Sequence, residues 1–473
     1  INGAVVNNIP VQVTFNASCG TVTPAVVSTD ATGLASSTYT ASQSCAGTNV
    51  TVSASAVGAS SLSSTISVAT PQVTNVQFVS VTPQLIYLKD SVGVTQSQVM
   101  FKAVDASGNP IQNQKLRLQL SNPATGVGLN APGSTSLLDL TTDNLGLVSA
   151  ALFAGTVPTA LNVRATLLDT NGQATSVYSD SNLLTVASGR PTQKSLSLSL
   201  DKFSLEAMNV DGQTAKLTLS MADRQGNPVP PDTQVNFVTE AGVVNSSCTV
   251  PAVTPAASSC TVTLTSQGTR TSSGRVSILA YVAGEEDFID SNGNNIYDTG
   301  ETFTDLGRAY RDDNGASTAN GTYDTGEFQV PRTGTNACVA GQAQCIGDGV
   351  WGLADVRSQA TIIFASGTAL ISGNFLTAVE VLPANTGGSY PASRVTPAIN
   401  LTIGDLKGNS VPTGSKIDIS ATDSTSQSPV ISRIAAVLDS TGAVTTPAVE
   451  TFGSCTLVSP ATLTVSNALG TFG

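Results

Sequence analysis

Between residues 285 and 327 the chain gathers eleven acids, Glu285, Glu286, Asp287, Asp290, Asp298, Glu301, Asp305, Asp312, Asp313, Asp324 and Glu327, against two bases, Arg308 and Arg311. This stretch therefore holds nine of the twelve net negative charges of the chain. Within it, Asp290-Ser-Asn292-Gly-Asn294-Asn-Ile296-Tyr-Asp298-Thr-Gly-Glu301 places side-chain oxygens at positions 1, 3, 5, 9 and 12, with the Ile296 carbonyl at position 7. Short Asp and Asn side chains at alternate positions can curl round a hard cation, and a Glu at the far end can close the shell with both oxygens. The phrase returns once. Asp312-Asp-Asn314-Gly is followed by Ala316-Ser-Thr-Ala319 and then by Asn320-Gly321-Thr-Tyr-Asp324-Thr-Gly-Glu327. Omitting Ala316–Ala319 restores the same six positions as Asp312, Asn314, Asn320, Thr322, Asp324 and Glu327.

That cadence is the ligand spacing of an EF-hand loop. The segment resembles the EF-hand-like calcium loops of bacterial surface proteins that lack flanking helices, and the resemblance implies Ca²⁺ as the cofactor. Magnesium fits less well, because it takes fewer protein ligands and a stricter octahedron. One departure is Asn295 at position 6, where Gly normally makes the sharp turn; Asn tolerates left-handed backbone better than most residues. The bland alternative is a solvated acidic loop whose Asp, Asn and Gly merely turn the chain. Two copies of Tyr-Asp-Thr-Gly-Glu favour calcium, and without a cation eleven carboxylates in one segment would repel.

Other chemistry is narrowed by composition. The chain has no His, which removes the usual nucleophile triads and the common zinc-hydrolase sites. Paired carboxylates could run glycoside hydrolysis, but acids at calcium-loop spacing read as ligands, so no enzyme is expected. No phosphate-binding Gly loop is present. A nearly neutral remainder beside one anionic segment argues against nucleic acid, which needs a basic footprint. No continuous apolar run approaches the length that a membrane-crossing helix needs, so no membrane span is expected in this segment. Trp351, the single tryptophan, reads as a hydrophobic pin that seats the long excursion before it, in preference to an exposed ligand-stacking residue.

The elements that must position the acidic segment are β-strands. Val99–Val104, Leu217–Met221 and Val276–Val282 keep apolar residues largely at every second position, and turn residues interrupt roughly every 8 to 12 residues, the cadence of a β-sandwich. A turn-and-strand phrase recurs four times: Asn2-Gly3 before Ile9–Phe15, Asp105-Ala-Ser-Gly108-Asn-Pro before Leu116–Leu120, Asp223-Arg-Gln-Gly226-Asn-Pro before Val235–Phe237, and Asp405-Leu-Lys-Gly408-Asn-Ser before Ile417–Ile419. The steps from Gly3 to Gly108, to Gly226 and to Gly408 are domain-sized and too long for solenoid repeats. A second phrase, Asp30-Ala-Thr-Gly33 and Asp143-Asn-Leu-Gly146, follows in the first two units.

Together these phrases resemble the tandem bacterial immunoglobulin-like domains of invasin and intimin type surface proteins. The resemblance implies an all-β chain of tandem Ig-like Greek-key sandwiches in an elongated rod: 1–72 (incomplete at its N-terminus), 73–190, 191–368 with the acidic insertion at about 285–350, and 369–473 (incomplete at its C-terminus). With the insertion removed, the long step from Gly226 to Gly408 shrinks to nearly that from Gly108 to Gly226. The insertion then joins the last two strands of the third sandwich and should lie near residues 188–196. In that family such domains serve mainly as stalks that carry an adhesive tip, with another protein or a surface glycan as partner and the bacterial surface or extracellular space as location. Two alternatives stand beside this: a subunit of a filament in which copies of the chain join by strand addition, and an accessory region of a secreted carbohydrate-active enzyme.

Seven cysteines pair by spacing as Cys19 with Cys45, Cys248 with Cys260 and Cys338 with Cys345, which leaves Cys455. Without His or a CxxC these read as disulfides in an oxidising compartment, in preference to zinc ligands or buried thiols. By the same register Cys455 expects a partner beyond Gly473, and the chain reads as an interior fragment.

Overall fold

The computed structural model describes residues 9–122, 125–252, 258–313, 319–332, 334, 337–374, 400–421, 434–438, 444–445, 461–467 and 470–472. Asn2, Gly3, Asn314 and Cys455 lie outside these. The described residues form β-strands joined by turns and irregular segments, with two short 3-10 turns at Gln43–Cys45 and Gln193–Ser195.

The recurring turns work by one device. In each, an Asp carboxylate accepts the N–H groups two and four positions on, from Ser107 and Asn109 at Asp105, Gln225 and Asn227 at Asp223, and Lys407 and Asn409 at Asp405. The glycine between them is left-handed, with φ of 83°, 83° and 78°, a conformation that a side chain would strain.

The second and third units share one topology. In the second, Asn75–Thr82 pairs with Gln96–Val104, which pairs with Leu147–Phe153, which pairs with Gly128–Leu129. The opposing sheet runs from Leu138–Thr141 through Lys115–Leu120 and Val163–Leu168 to Ala174–Asp180. The chain continues into Leu184–Ala187, against which Leu85–Tyr87 lies parallel. In the third unit the first sheet orders Leu196–Leu200, Thr214–Met221, Ser259–Thr265 and Val243–Val244. The second orders Ser204–Glu206, Leu353–Ala365, Arg275–Glu285, Gln234–Thr239 and Ser247–Thr249, again with its first strand parallel to its last. A first strand that pairs antiparallel in one sheet and then crosses to the other is an immunoglobulin-like Greek key, and each unit encloses its own core.

Among the described residues three disulfides are present, Cys19–Cys45, Cys248–Cys260 and Cys338–Cys345. In the first unit Gln12–Ala17 lies between Val26–Ser28 and Asn49–Ala56, with Leu62–Ser67 at the edge. The described part of the fourth contains the pair Ala369–Asn374 and Asn400–Asp405, and a sheet centred on Lys416–Ala421.

The insertion joins the last two strands of the third unit and spans 286–352. Its end lies slightly beyond the expected 350, because Trp351 and Gly352 still belong to it and strand pairing resumes at Leu353 opposite Glu285. Its root meets the start of the same unit: the Glu285 N–H donates to the Pro191 carbonyl at 3.0 Å, and Arg190 approaches the Glu285 carboxylate at 3.8 Å.

Candidate metal centre

Both acidic loops are held at their bases by the same backbone closure. Ile289 N–H donates to Thr302 O and Thr304 N–H to Asp287 O; Arg311 N–H donates to Phe328 O and Val330 N–H to Ala309 O. Ile289 and Thr302 thus correspond to Arg311 and Phe328, and Asp287 and Thr304 to Ala309 and Val330. The second loop is the longer, and its additional length is absorbed inside the closure.

The interiors share a set of hydrogen bonds. Asp290 Oδ1 and Oδ2 accept the N–H groups of Asn294 (3.2 Å) and Asn295 (2.8 Å), as Asp312 accepts those of Asn320 (3.0 Å) and Gly321 (2.7 Å). Glu301 accepts the N–H groups of Ser291 (2.7 Å) and Asp298 (3.0 Å), as Glu327 accepts those of Asp313 (2.7 Å) and Asp324 (2.8 Å). The Oδ1 atoms of Asn294 and Asn320 receive Ile296 N–H and Thr322 N–H, while their amide groups donate to Asp298 and Asp324. Asn292 donates to Asp298 as well, at 2.7 Å. The sharp turn at position 6 is left-handed in both, with φ 62° at Asn295 and 84° at Gly321. Asn295 therefore makes the turn that Gly makes in the second loop.

The loops are also seated alike. Phe288 meets Tyr297 edge-on at 5.7 Å, and Tyr310 meets Tyr323 edge-on at 5.6 Å. An arginine covers each first ring, Arg224 on Phe288 at 3.8 Å and Arg357 on Tyr310 at 3.6 Å, contacts that attract the cation to the π face. The first loop is then pinned by Trp351, which stacks on Tyr297 at 5.1 Å and donates its indole N–H to Glu286 O. These are the contacts of the pin. The second is pinned by the Cys338–Cys345 disulfide against Tyr310 and Tyr323. It is docked on the sheet through Gln359, which bonds both the N–H and the carbonyl of Asp312.

The sheet is built to receive it. Leu279 and Tyr281 face outward from Arg275–Glu285 and pack with Ala309, Phe328 and Val330, so this strand is covered on both faces. The sequence signal was the apolar pair at 279 and 281, which breaks the polar alternation expected of a solvent face.

No three His, Cys, Asp or Glu side chains among the described residues stand close enough to share a metal ion. The carboxylates are instead directed by N–H donors, with Asn amides laid on Asp298 and Asp324. Asp290 Oδ1, Asp298 Oδ2 and Glu301 Oε1 each accept two donors, which takes up both acceptor sites of those oxygens, so a cation would enter by displacing some of these donors; the donor set of Asp, Asn, Glu and carbonyl groups suits a hard cation. Asp290, Asn292, Asn294, Ile296, Asp298 and Glu301 fall in one loop, and Asp312, Asn320, Thr322, Asp324 and Glu327 in the other.

Charge is tuned in opposite directions at the rim and the root. Burial works against the charge at Asp290, but the N–H groups of Asn295, Gly293 and Asn294 outweigh it and hold its carboxyl below the usual range. N–H donation from Asp298 and Ser291 does the same for Glu301. At the root, burial pushes Glu286 up, partly offset by N–H donation from Leu306 and Gly352. A depressed carboxyl contributes stability above its unfolded pKa and loses it as pH falls through the folded value; a raised one favours the fold at low pH and loses that as pH rises through its folded value. Acidification should therefore release the Asp290–Glu301 loop while the root at Glu286 holds, which carboxyl NMR titration with amide exchange would resolve. Simultaneous release of both would contradict this assignment.

No family model and no curated protein sequence matches the chain. Among solved structures, invasin, described as a bacterial integrin-binding protein, is 16% identical over 77% of this chain and 74% of its own, with a TM-score of 0.31. InvD of Yersinia pseudotuberculosis is 16% identical over 85% and 96%, with a TM-score of 0.22. A tetra-tandem repeat from the extending region of a large adhesion protein is 15% identical over 99% and 91%, with a TM-score of 0.22. The immunoglobulin-like assignment rests on the strand order given above.

Proposed function

We propose that this chain is a structural and adhesive stalk segment of an exported bacterial surface protein, stiffened by calcium in the 286–352 insertion and by its disulfides. The observation that carries the calcium reading is that two loops of unequal length direct Asp290 and Asp312, Glu301 and Glu327, and Asn294 and Asn320 through the same hydrogen bonds. The shared bonds follow the repeated Tyr-Asp-Thr-Gly-Glu phrase, and they gather the same oxygen donors in both loops. Calcium would be held by Asp290, Asn292, Asn294, the Ile296 carbonyl, Asp298 and Glu301, and by Asp312, Asn314, Asn320, Thr322, Asp324 and Glu327, and would supply the countercharge and cross-link that the acids need. Disulfides in the first and third units support an oxidising extracellular setting. A partner protein or surface glycan is bound by the adhesive assembly to which this stalk belongs, and the segment itself carries no reaction.

Calorimetry on the intact chain tests the metal reading. We expect two sites with Kd of about 10⁻⁴ to 10⁻³ M, the range of extracellular calcium modules. Trp351 emission should change as the first site fills, because its stacking partner Tyr297 lies inside that loop. No heat and no emission change at millimolar calcium would remove calcium from the reading.

A further inference from the structure

The last strand of the second unit ends in Ala187-Ser188-Gly189, and that of the third in Ala365-Ser366-Gly367. Ser188 N–H donates to Asp223 Oδ2 at 3.1 Å, and Ser366 N–H donates to Asp405 Oδ2 at 3.2 Å. Each acceptor is the Asp that organises the first recurring turn of the following unit, and each is wholly buried, with 0% exposure. Its Oδ1 serves its own turn, while its Oδ2 reaches the preceding unit; at Asp223 that Oδ2 also accepts Asn227 Nδ2 at 3.1 Å. The junction around Ser188 is closely packed: a Cβ at Gly189, whose φ is 70°, would lie 2.8 Å from Tyr87 and 3.0 Å from Pro230. Burial, followed by the charge of Asp223, pushes the Tyr87 phenol up to about 12. At the next junction Arg275 and Ser273 bond the Asn409 side chain, and Thr413 N–H donates to Ser204 O.

The first junction has the same parts and does not assemble them. Thr70 stands as far before Asp105 as Ser188 stands before Asp223. Yet Asp105 is only partly buried, and among the described residues its carboxylate bonds only Ser107 N–H, Asn109 N–H and Asn109 Nδ2, all in its own turn. The residue after Thr70 is Pro71, which fixes its own φ and drives Thr70 into extended backbone, where Gly189 turns the chain back.

We propose that the Ser–Asp contact is an inter-unit latch that makes the chain stiff across Ser188/Asp223 and Ser366/Asp405 and leaves a hinge at residues 69–74. Covalently linked domains move relative to one another unless their interface holds them, and a buried carboxylate committed to a neighbour's N–H supplies that hold, because breaking it strands a buried acceptor.

Asp223→Asn tests the latch, and Asp105→Asn, which likewise loses the bond from the Asn Nδ2 of its own turn, controls for the turn. In Asp223→Asn the remaining oxygen still organises the turn, while an amide N–H replaces the oxygen that faces Ser188 N–H. Spin labels on noncanonical residues at exposed Ser64, Asn171 and Thr261 would give distance distributions across the first two junctions by pulsed dipolar spectroscopy. We expect the first junction to be about twofold broader than the second in the wild type, Asp223→Asn to broaden the second to match, and Asp105→Asn to change neither. Thr70→Ser with Pro71→Gly should narrow the first junction, a gain that no misfolded variant would mimic. Equal widths in the wild type, or an unchanged second junction in a folded Asp223→Asn protein together with no narrowing by the Thr70/Pro71 pair, would overturn the latch.

Discussion

A protease should cut within residues 286–352 about a hundredfold faster in chelator than in calcium at a hundred times its Kd. Binding to the closed loop alone stabilises it by about 2.7 kcal/mol per site at that excess, and cleavage follows the open population when opening and closing are fast. Asp290→Ala with Glu301→Ala should abolish this protection for the first loop and leave that of the second. Both residues are needed in the test, since each aims its oxygens through a separate set of N–H donors. Cutting at one rate in chelator and calcium would refute the calcium assignment and leave the strand topology standing.

The largest effect on stability is expected from Phe364→Ala. Phe364 is fully buried in the third core and lies on the strand that returns from the insertion, opposite Gly274. Removing a buried aromatic ring costs about 3–5 kcal/mol through lost burial and the cavity left behind. Because that strand also carries Arg357 and Gln359, which hold the second loop, unfolding of the unit should release the insertion with it. Denaturant unfolding of this variant would show the loss directly; a change below about 1 kcal/mol, the size of an average substitution, would mean that Phe364 is not part of a packed core.

Much of this was readable before any coordinates. The hydrogen bonds of the Asp, Asn and Glu side chains within each loop and the left-handed turn at Asn295 are local properties, set by short side chains and the backbone beside them. The cysteine pairs follow from strand spacing in the same way. Arg224 over Phe288 and Arg357 over Tyr310 were not legible, since each arginine is distant in sequence and nothing in its neighbours marks it. The latch was hidden for another reason: Asp105, Asp223 and Asp405 have nearly identical turn sequences, and the difference in the sequence lies far before them, where Thr70-Pro71 precedes the partly buried Asp105 and Ser188-Gly189 and Ser366-Gly367 precede the buried two. The parallel strands Leu85–Tyr87 and Ser204–Glu206 are three residues long, too short to show a period.

Those short parallel strands decide how a unit bears load. A pull along the chain enters the second unit through Asn75–Thr82, passes into Leu85–Tyr87 and leaves through Leu184–Ala187, and the last two lie side by side in the same direction; Ser204–Glu206 and Ile363–Ala365 repeat the arrangement. Tension on the two ends slides such strands past one another, so their hydrogen bonds are sheared together where an antiparallel hairpin would unzip one bond at a time. The insertion lies between Glu285 and Leu353, apart from the sheared pair Ser204–Glu206 and Ile363–Ala365, so its two loops would be spared that shear while the chain is under tension.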